Sequence, residues 1–354
     1  MVKTTIGAGR AWHFSHMIGR SSAEHNESKF GRTGGFCSPM DLAVAPDNMI
    51  FVLSRGFGYA PPGRVGDTGC RIGKTTFDED HIGDFARHGF TWPNSLAISV
   101  EGNVFCSDEY ENTIYVFDPD AIYPYPGADP NGESILKWGT AGTKPGQLNG
   151  PAGIAFDKEN NLHVVDSKNS RIQLFSSTGD FIKTWGKYGN GNMEFDKPWG
   201  ITIDHKGDVY VADWGNNRVQ KFSADGTYLL SYGTSGDPAA ALNHPAHVAV
   251  DGDGDVYITD WGNHRVQIYE PDGEIIASLH GDATGYSKAG LYLLNRDPES
   301  IKTIRQAPDP MQYFATFGRP TGISINKNNQ IVIADIRGRL QIYNKDNKYT
   351  EPPA

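Results

Sequence analysis

Apolar residues recur along this chain in short alternating runs, and the runs themselves repeat. GPAGIAFDKENNLHVVDSKNSRIQLF from Gly150, KPWGITIDHKGDVYVADWGNNRVQKF from Lys197 and HPAHVAVDGDGDVYITDWGNHRVQIY from His244 align position by position. SPMDLAVAPDNMIFVLS, WPNSLAISVEGNVFCSDEYENTIYVF and RPTGISINKNNQIVIADIRGRLQIY are weaker copies. In all six, a proline precedes an anchor position by 15 residues: Pro39 and Ser54, Pro93 and Asp108, Pro151 and Asp166, Pro198 and Asp213, Pro245 and Asp260, Pro320 and Asp335. Within a copy, period-two alternation predicts a short strand after the proline, then a polar turn such as KENN or HKGD, then a second strand ending at the anchor. An N-x-R-[IV] strand and a fourth segment such as FIKTWG or YLLSYG complete the unit. Four antiparallel strands repeated six times predict an all-β, six-bladed β-propeller. Residues 1–354 are read as one such domain.

The middle of each first strand is small (Ala43, Ala97, Ala155, Thr202, Ala249, Ser324), which predicts that it faces the crowded axis. The sixth copy lacks a fourth segment after Tyr343, whereas WHFSHMIG at residues 12–19 matches one. The N-terminal strand is therefore expected to complete the sixth blade and close the ring, which removes two exposed sheet edges.

Departures from the repeat point to the functional face. Strand alternation puts the proline end of the first strand and the anchor end of the second on one face. Insertions 55–69 and 281–319 fall there and are read as a lid, the second with a helix near 287–305. A third insertion near 121–134 lies on the opposite face. The post-proline pairs are Met40-Asp41, Asn94-Ser95, Ala152-Gly153, Trp199-Gly200, Ala246-His247 and Thr321-Gly322. The repeat prefers glycine second, so Asp41 and His247 break the protein's own pattern near the axis. After the anchors stand Arg55, Glu109-Tyr110, Ser167-Lys168, Trp214, Trp261 and Ile336-Arg337.

Composition narrows the partners. The 354 residues carry 32 basic and 42 acidic side chains, a formal charge of −10, which disfavours nucleic acid. No apolar run approaches the roughly 18 residues of a membrane span, and the start has no apolar core of a secretory signal. Three scattered cysteines fit free thiols in a reducing compartment, hence a cytoplasmic location. A protein partner stays open.

The candidate chemistry is local. The anchor aspartates recur with the N-x-R arginine and read as turn caps and ion-pair partners. DGDGD at 251–255 reads as a hairpin turn, since it lacks the glycine and distal glutamate of a calcium loop. His247 is a candidate general base with Asp41 beside it, or one ligand of a divalent metal. Strict alternation would turn His247, two residues after its proline, away from the position directly after it. Trp199, Trp214 and Trp261 either stack on a ligand or pack each loop on its neighbour. Arg55, Arg319 and Arg337 put positive charge at the mouth of an acidic protein, which suggests an anionic ligand such as a carboxylate.

The pattern P-x-G-[IV]-x-[VIF] followed by [VI]-x-D-x-x-N-x-R-[IV]-x-x-[FY] resembles the NHL repeat, whose family fold is a six-bladed propeller. Among enzymes with that repeat, the chain resembles the peptidyl-α-hydroxyglycine amidating lyases. That resemblance implies a channel zinc held by histidines directly after the first-strand prolines, an arginine in an Arg-Gly step of the first blade, and a tyrosine two residues after an anchor Asp. Arg55-Gly56 matches the step and Tyr110 has the tyrosine spacing in blade two, while blade three has Lys168 there. The post-proline positions hold Met40, Asn94, Ala152, Trp199, Ala246 and Thr321, none a histidine. A second resemblance, to lactonases on similar propellers, implies channel calcium, with Asp41, Asn94, Ser95 and Glu109 as oxygen donors. The functional expectation is a lyase or hydrolase acting on a small anionic molecule. Arg55, His247 and Tyr110 would be catalytic. Asp41, Asn94, Lys168, Trp199, Trp214, Trp261, Arg319 and Arg337 would bind substrate, with zinc or calcium as a possible cofactor. The alternative is a propeller that binds a ligand or a protein without catalysis.

Overall fold

Six sheets arranged around one axis follow from the six repeats. The computed structural model describes residues 3–19, 36, 38–55, 70–86, 90–120, 134–234, 236–283, 285–291 and 315–350. Blade three shows the unit: Pro151–Phe156, Asn161–Asp166, Arg171–Ser176 and Phe181–Trp185 pair antiparallel in chain order. Blades one, two, four and five begin at Pro39–Val44, Pro93–Ile98, Ile201–Ile203 and Pro245–Val250 and have the same four-strand order. Blade six consists of Pro320–Ile325, Gln330–Asp335, Arg339–Asp346 and, from the other end of the chain, Arg10–Ile18. The N-terminal strand thus closes the ring as predicted. Two details differ. The third strand of blade six runs past Tyr343 to Asp346, and Thr4–Gly7 pairs with Arg10–Ile18 as a fifth strand. The extra strand covers the outer edge of the closing strand, which would otherwise offer unpaired backbone groups.

Each seam between blades has its own apolar core, so the core is a ring of six and not a central plug. Phe51 and Leu53 meet Leu96 and Phe117 between blades one and two; Phe105 and Val116 meet Ile154 and Val164 between two and three. Val165, Ile172, Val209 and Phe222 fill the next seam, and Tyr210, Val219, Val248 and Ile258 the one after. Trp12, Val266, Leu279, Ile323 and Tyr343 join blades five and six. Ile18, Leu340 and Val332 meet Leu42 and Val52 at the final seam. The small first-strand residues serve these seams: Ala97 lies in the core between blades two and three, and Ala249 in that between five and six. That corrects the expectation that they face the axis.

The anchor aspartates are structural, as read from the sequence. Asp166 accepts from Asn149 N at 2.6 Å, Asn169 Nδ2 at 2.8 Å, Arg171 Nε at 2.7 Å and Gln173 Nε2 at 3.0 Å. Asp213 and Asp260 repeat the arrangement with Arg218 and Arg265. Each ties the loop before its blade to the second and third strands, so a buried carboxylate is fully satisfied.

At the seam of blades five and six, DGDGD forms the predicted hairpin turn with a further role. Lys345 Nζ, buried, lies 2.6 Å from Asp251 Oδ2, 2.9 Å from Asp253 Oδ2 and 2.9 Å from Asp255 Oδ2. Arg10 Nε is 3.1 Å from Asp255 Oδ2, and Trp12 Nε1 donates to Tyr257 Oη, which donates to Asp251. Both ends of the chain are therefore fastened to one turn of blade five.

The lid expectation concerns residues that mostly lie outside those described, namely 56–69 and 292–314. The described start of the second insertion runs to the perimeter. Ser287 Oγ donates to Gly19 O at 2.6 Å, and the backbone of Lys288 and Ala289 donates to Glu79 of blade one. Residues 288–291 are helical; the rest of the expected helix, and residues 121–133 of the third insertion, lie outside the described part.

Candidate functional site

Backbone irregularity next to each proline shapes the axial site. In blade one Pro39 pairs with Ser54 and Asp41 with Leu53, leaving Met40 as an extra, unpaired residue. The same bulge occurs at Asn94 and Ala246. A bulge breaks strict alternation and re-aims the side chains beside it. This corrects the expectation that alternation turns His247 aside.

The second residue after each proline forms the innermost ring: Asp41, Ser95, Gly153, Gly200, His247 and Gly322. Three glycines are there because blades approach closely. A Cβ on Gly153 would stand 2.5 Å from Trp199 O, one on Gly200 2.5 Å from Ala246 O, and one on Gly322 2.6 Å from Asp41 Oδ1. The three remaining positions carry polar side chains that converge. Asp41 is 1% exposed. Its Oδ2 accepts from Ser95 Oγ at 2.7 Å and Leu96 N at 2.9 Å, and its Oδ1 accepts from Leu42 N at 2.8 Å. His247 Nε2 lies 3.7 Å from Asp41 Oδ1. His247 Nδ1 faces Val248 O at 3.1 Å, so that nitrogen donates and Nε2 is left to hold or release a proton beside the carboxylate.

A second cluster lies at the mouth between blades one, two and three. Arg55 Nε donates to Pro93 O at 3.0 Å, and the guanidinium stacks on Trp92, 4.6 Å from the ring centroid. Burial pushes the Arg55 pKa down to about 10, so it remains a cation at neutral pH. Its Nη2 is 4.0 Å from Glu109 Oε2, and the other oxygen of Glu109 is 3.3 Å from the exposed Lys168 Nζ. Asn94, 2% exposed, donates through Nδ2 to Glu109 Oε2 at 3.4 Å. Two buried atoms here have no hydrogen-bond partner among the described residues: Arg55 Nη2, a donor, and Asn94 Oδ1, an acceptor.

The other residues singled out in the sequence are placed differently. Tyr110 is 69% exposed, and its backbone N–H donates to Asp108; it is not drawn into either cluster. Trp261 lies under Arg319 at 4.0 Å. Trp214 packs on the His244 ring at 4.0 Å and faces Trp199 at 6.4 Å. Arg337 donates to Thr316 O at 2.7 Å. Trp214 and Trp261 thus pack against residues of the following blade. Ser95 and Glu109 are site candidates in the sequence reading only as oxygen donors for calcium; here Ser95 holds Asp41 and Glu109 lies beside Arg55 and Lys168. Gly322 is named there only by its register.

The zinc implied by the resemblance does not fit these residues. Among the described residues no group of three His, Cys, Asp or Glu side chains is placed to hold a metal ion. The calcium reading fares no better electrostatically, because Arg55 and Lys168 flank the oxygens of Glu109.

Comparison with known proteins supports the fold. Residues 148–175, 195–222 and 242–269 match the model of the NHL repeat. No curated protein matches the chain. A solved structural-genomics protein of unknown function from Bacteroides thetaiotaomicron is 18% identical, with 95% of this chain and 76% of that one covered and a TM-score of 0.63. An auxiliary nutrient binding protein from Bacteroides ovatus is 12% identical over 98% of this chain and 78% of its own, with a TM-score of 0.59. A streptogramin B lyase is 15% identical over 88% and 94%, with a TM-score of 0.51. At such identities the likeness shows the propeller alone. No described helix is long and apolar enough to cross a membrane.

Proposed function

On a six-bladed propeller with three NHL repeats, we propose a small-molecule lyase or hydrolase that takes an anionic substrate at the channel mouth. The observation that carries this reading is the buried Arg55 guanidinium, whose Nη2 has no hydrogen-bond partner among the described residues although its Nε is bonded and its face stacks on Trp92. Leaving a buried charged donor unmet costs on the order of 1–3 kcal/mol, and a ligand carboxylate satisfies it with a charge-assisted bond. Around this seat Arg55 and Lys168 flank Glu109, and Asp108 also acts on Arg55, so two cations face two carboxylates in a chain whose formal charge is −10.

His247 supplies the acid–base group. Its Nδ1 is committed to a backbone carbonyl, and Asp41 stabilises the imidazolium that forms when Nε2 takes a proton. Asp41 is itself held by Ser95, Leu96 and Leu42, so the pair needs little reorganisation during the reaction. That a streptogramin B lyase and a nutrient binding protein both use this fold is compatible with turnover and with simple binding. The two are separated by variants, using a panel of small carboxylates followed by mass spectrometry. Arg55→Ala is expected to abolish binding and His247→Ala to abolish turnover while binding persists, both with unchanged circular dichroism. Turnover that survives His247→Ala overturns the enzymatic reading and leaves a binding propeller.

A further inference from the structure

Glu109 is the acidic side chain that stands between Arg55 and Lys168. Its Oε2 lies 4.0 Å from Arg55 Nη2, too long for a hydrogen bond, and 3.4 Å from Asn94 Nδ2, at the limit of one. Its Oε1 is 3.3 Å from Lys168 Nζ, and the Lys168 side chain is 52% exposed. A carboxylate is thus suspended among three donors without closing a short bond to any of them. Beneath it, Asn94 Oδ1 is buried and has no donor. Compare the anchor carboxylates, where Asp166 closes bonds of 2.6–3.0 Å to four groups. Evidently the seat suits a carboxylate, but not one tethered to this backbone position.

We propose that Glu109 is an internal stand-in for the carboxylate of the ligand, which on binding displaces it from between Arg55 and Lys168. The proposal rests on the reading of Arg55 as the anion-holding residue. It adds a substrate class and a gate. The ligand carries a carboxylate for Arg55 Nη2 and an adjacent N–H or O–H donor for Asn94 Oδ1. The resting protein keeps the two cations partly neutralised until that ligand arrives, so Glu109 lowers the affinity for every simple anion while making the free site tolerable. No bond is made or broken in the exchange; one carboxylate replaces another.

Calorimetric titration of the full chain with acetate, propionate and lactate tests this. Lactate adds to propionate the hydroxyl donor that Asn94 lacks. Removing the competitor in Glu109→Ala is expected to tighten acetate binding roughly tenfold, the scale of one lost charge–charge competition. Glu109→Gln, which keeps the side-chain shape, is expected to do so by a smaller factor. Lactate should bind tighter than propionate in wild type and in Glu109→Ala, and Asn94→Ala should erase that preference. Unchanged or weaker acetate binding in both Glu109 variants overturns the stand-in role, as does a failure of all three probes to bind any form. Arg55→Ala added to Glu109→Ala distinguishes the two levels: if acetate still binds tightly without Arg55, the anion seat itself is misplaced. If binding needs Arg55 yet ignores Glu109, only the gate fails.

Discussion

Two of the places where the described residues bury charge resolve it in opposite ways. At the seam of blades five and six, three aspartates of one turn close on Lys345 and Arg10, so the cation that the acidic motif invites is supplied by the chain. At the mouth between blades one and two, Arg55 and Asn94 are also largely buried, yet one atom of each has no hydrogen-bond partner among the described residues. Burying polar groups is tolerable only when they are satisfied. The first region therefore reads as a fastening and the second as a site awaiting a ligand, although by composition alone the aspartates look like the binding motif. What separates the two regions is how closely opposite charges meet: Lys345 and Arg10 stand 2.6–3.1 Å from the aspartates, whereas Arg55 Nη2 is 4.0 Å from Glu109 Oε2, although Asp255 also keeps side-chain oxygens without a hydrogen-bond partner among the described residues.

The largest effect that tests this contrast is at the fastening. Lys345→Met leaves Asp251 and Asp255 buried without their cation, and breaking one partner out of a buried ion cluster destabilises by about 3–5 kcal/mol. Thermal unfolding should show the loss directly. The pH profile gives a second reading. Burial alone would lower the Lys345 pKa, but its bonds to the three aspartates raise it above the ordinary value. Its contribution is then full below about 10.4, the unfolded value, and is lost as pH rises through the higher folded value. Asp253 is held below its ordinary range by Lys345; its contribution is present above about 3.9 and is lost as pH falls through the folded value. Burial raises Asp255 above its ordinary value, so its proton uptake on acidification favours the folded state and partly offsets the loss at Asp253. Lys345→Met should remove the alkaline loss and, by leaving Asp255 buried without its cation, make stability rise on acidification; an unchanged profile would mean that the cluster contributes nothing.

How much of this was legible beforehand follows from the range of each interaction. The blades come from local alternation, repeated six times, and the closing strand from a missing fourth segment; both are patterns in one dimension. Asp41 and His247 stood out because they break the repeat's own glycine preference. The Lys345 cluster did not, since its partners lie 94 and 92 residues away and no local pattern links them. Trp214 and Trp261 looked like ligand platforms in sequence because their stacking partners, His244 and Arg319, belong to the following blade. The bulge that lets His247 face Asp41 is equally silent in the sequence, as it depends on how two strands pair.

An intermediate effect is expected at the axis. Gly322→Ala would place its Cβ 2.6 Å from Asp41 Oδ1 and 2.7 Å from Asp41 Cα, a spacing that real atoms do not keep. The innermost strand of blade six must then move away from blade one, and overpacking of this kind costs about 1–3 kcal/mol. Because the displaced residue is Asp41, the variant is also expected to lose turnover while Arg55-dependent anion binding persists. Loss of binding together with turnover would mean that the two clusters are one mechanical unit, which would blur the division between seat and proton-transfer pair.

The smallest effect on stability is predicted where the sequence would suggest a large one. Arg55→Met removes a buried cation, as Lys345→Met does. It forfeits the bond to Pro93 O, worth about 0.5–1.5 kcal/mol, and the stacking on Trp92, worth about 0.5–2 kcal/mol. Against these stands relief from burying a guanidinium nitrogen with no partner, about 1–3 kcal/mol, and an apolar chain of similar length fills the same space. These terms nearly cancel, so the thermal midpoint should lie close to that of wild type while carboxylate binding disappears. Residues that hold a ligand often contribute nothing to folding for this reason. Should Arg55→Met destabilise the protein as strongly as Lys345→Met, Arg55 is a fastening like the other, and the mouth loses its claim to be the site.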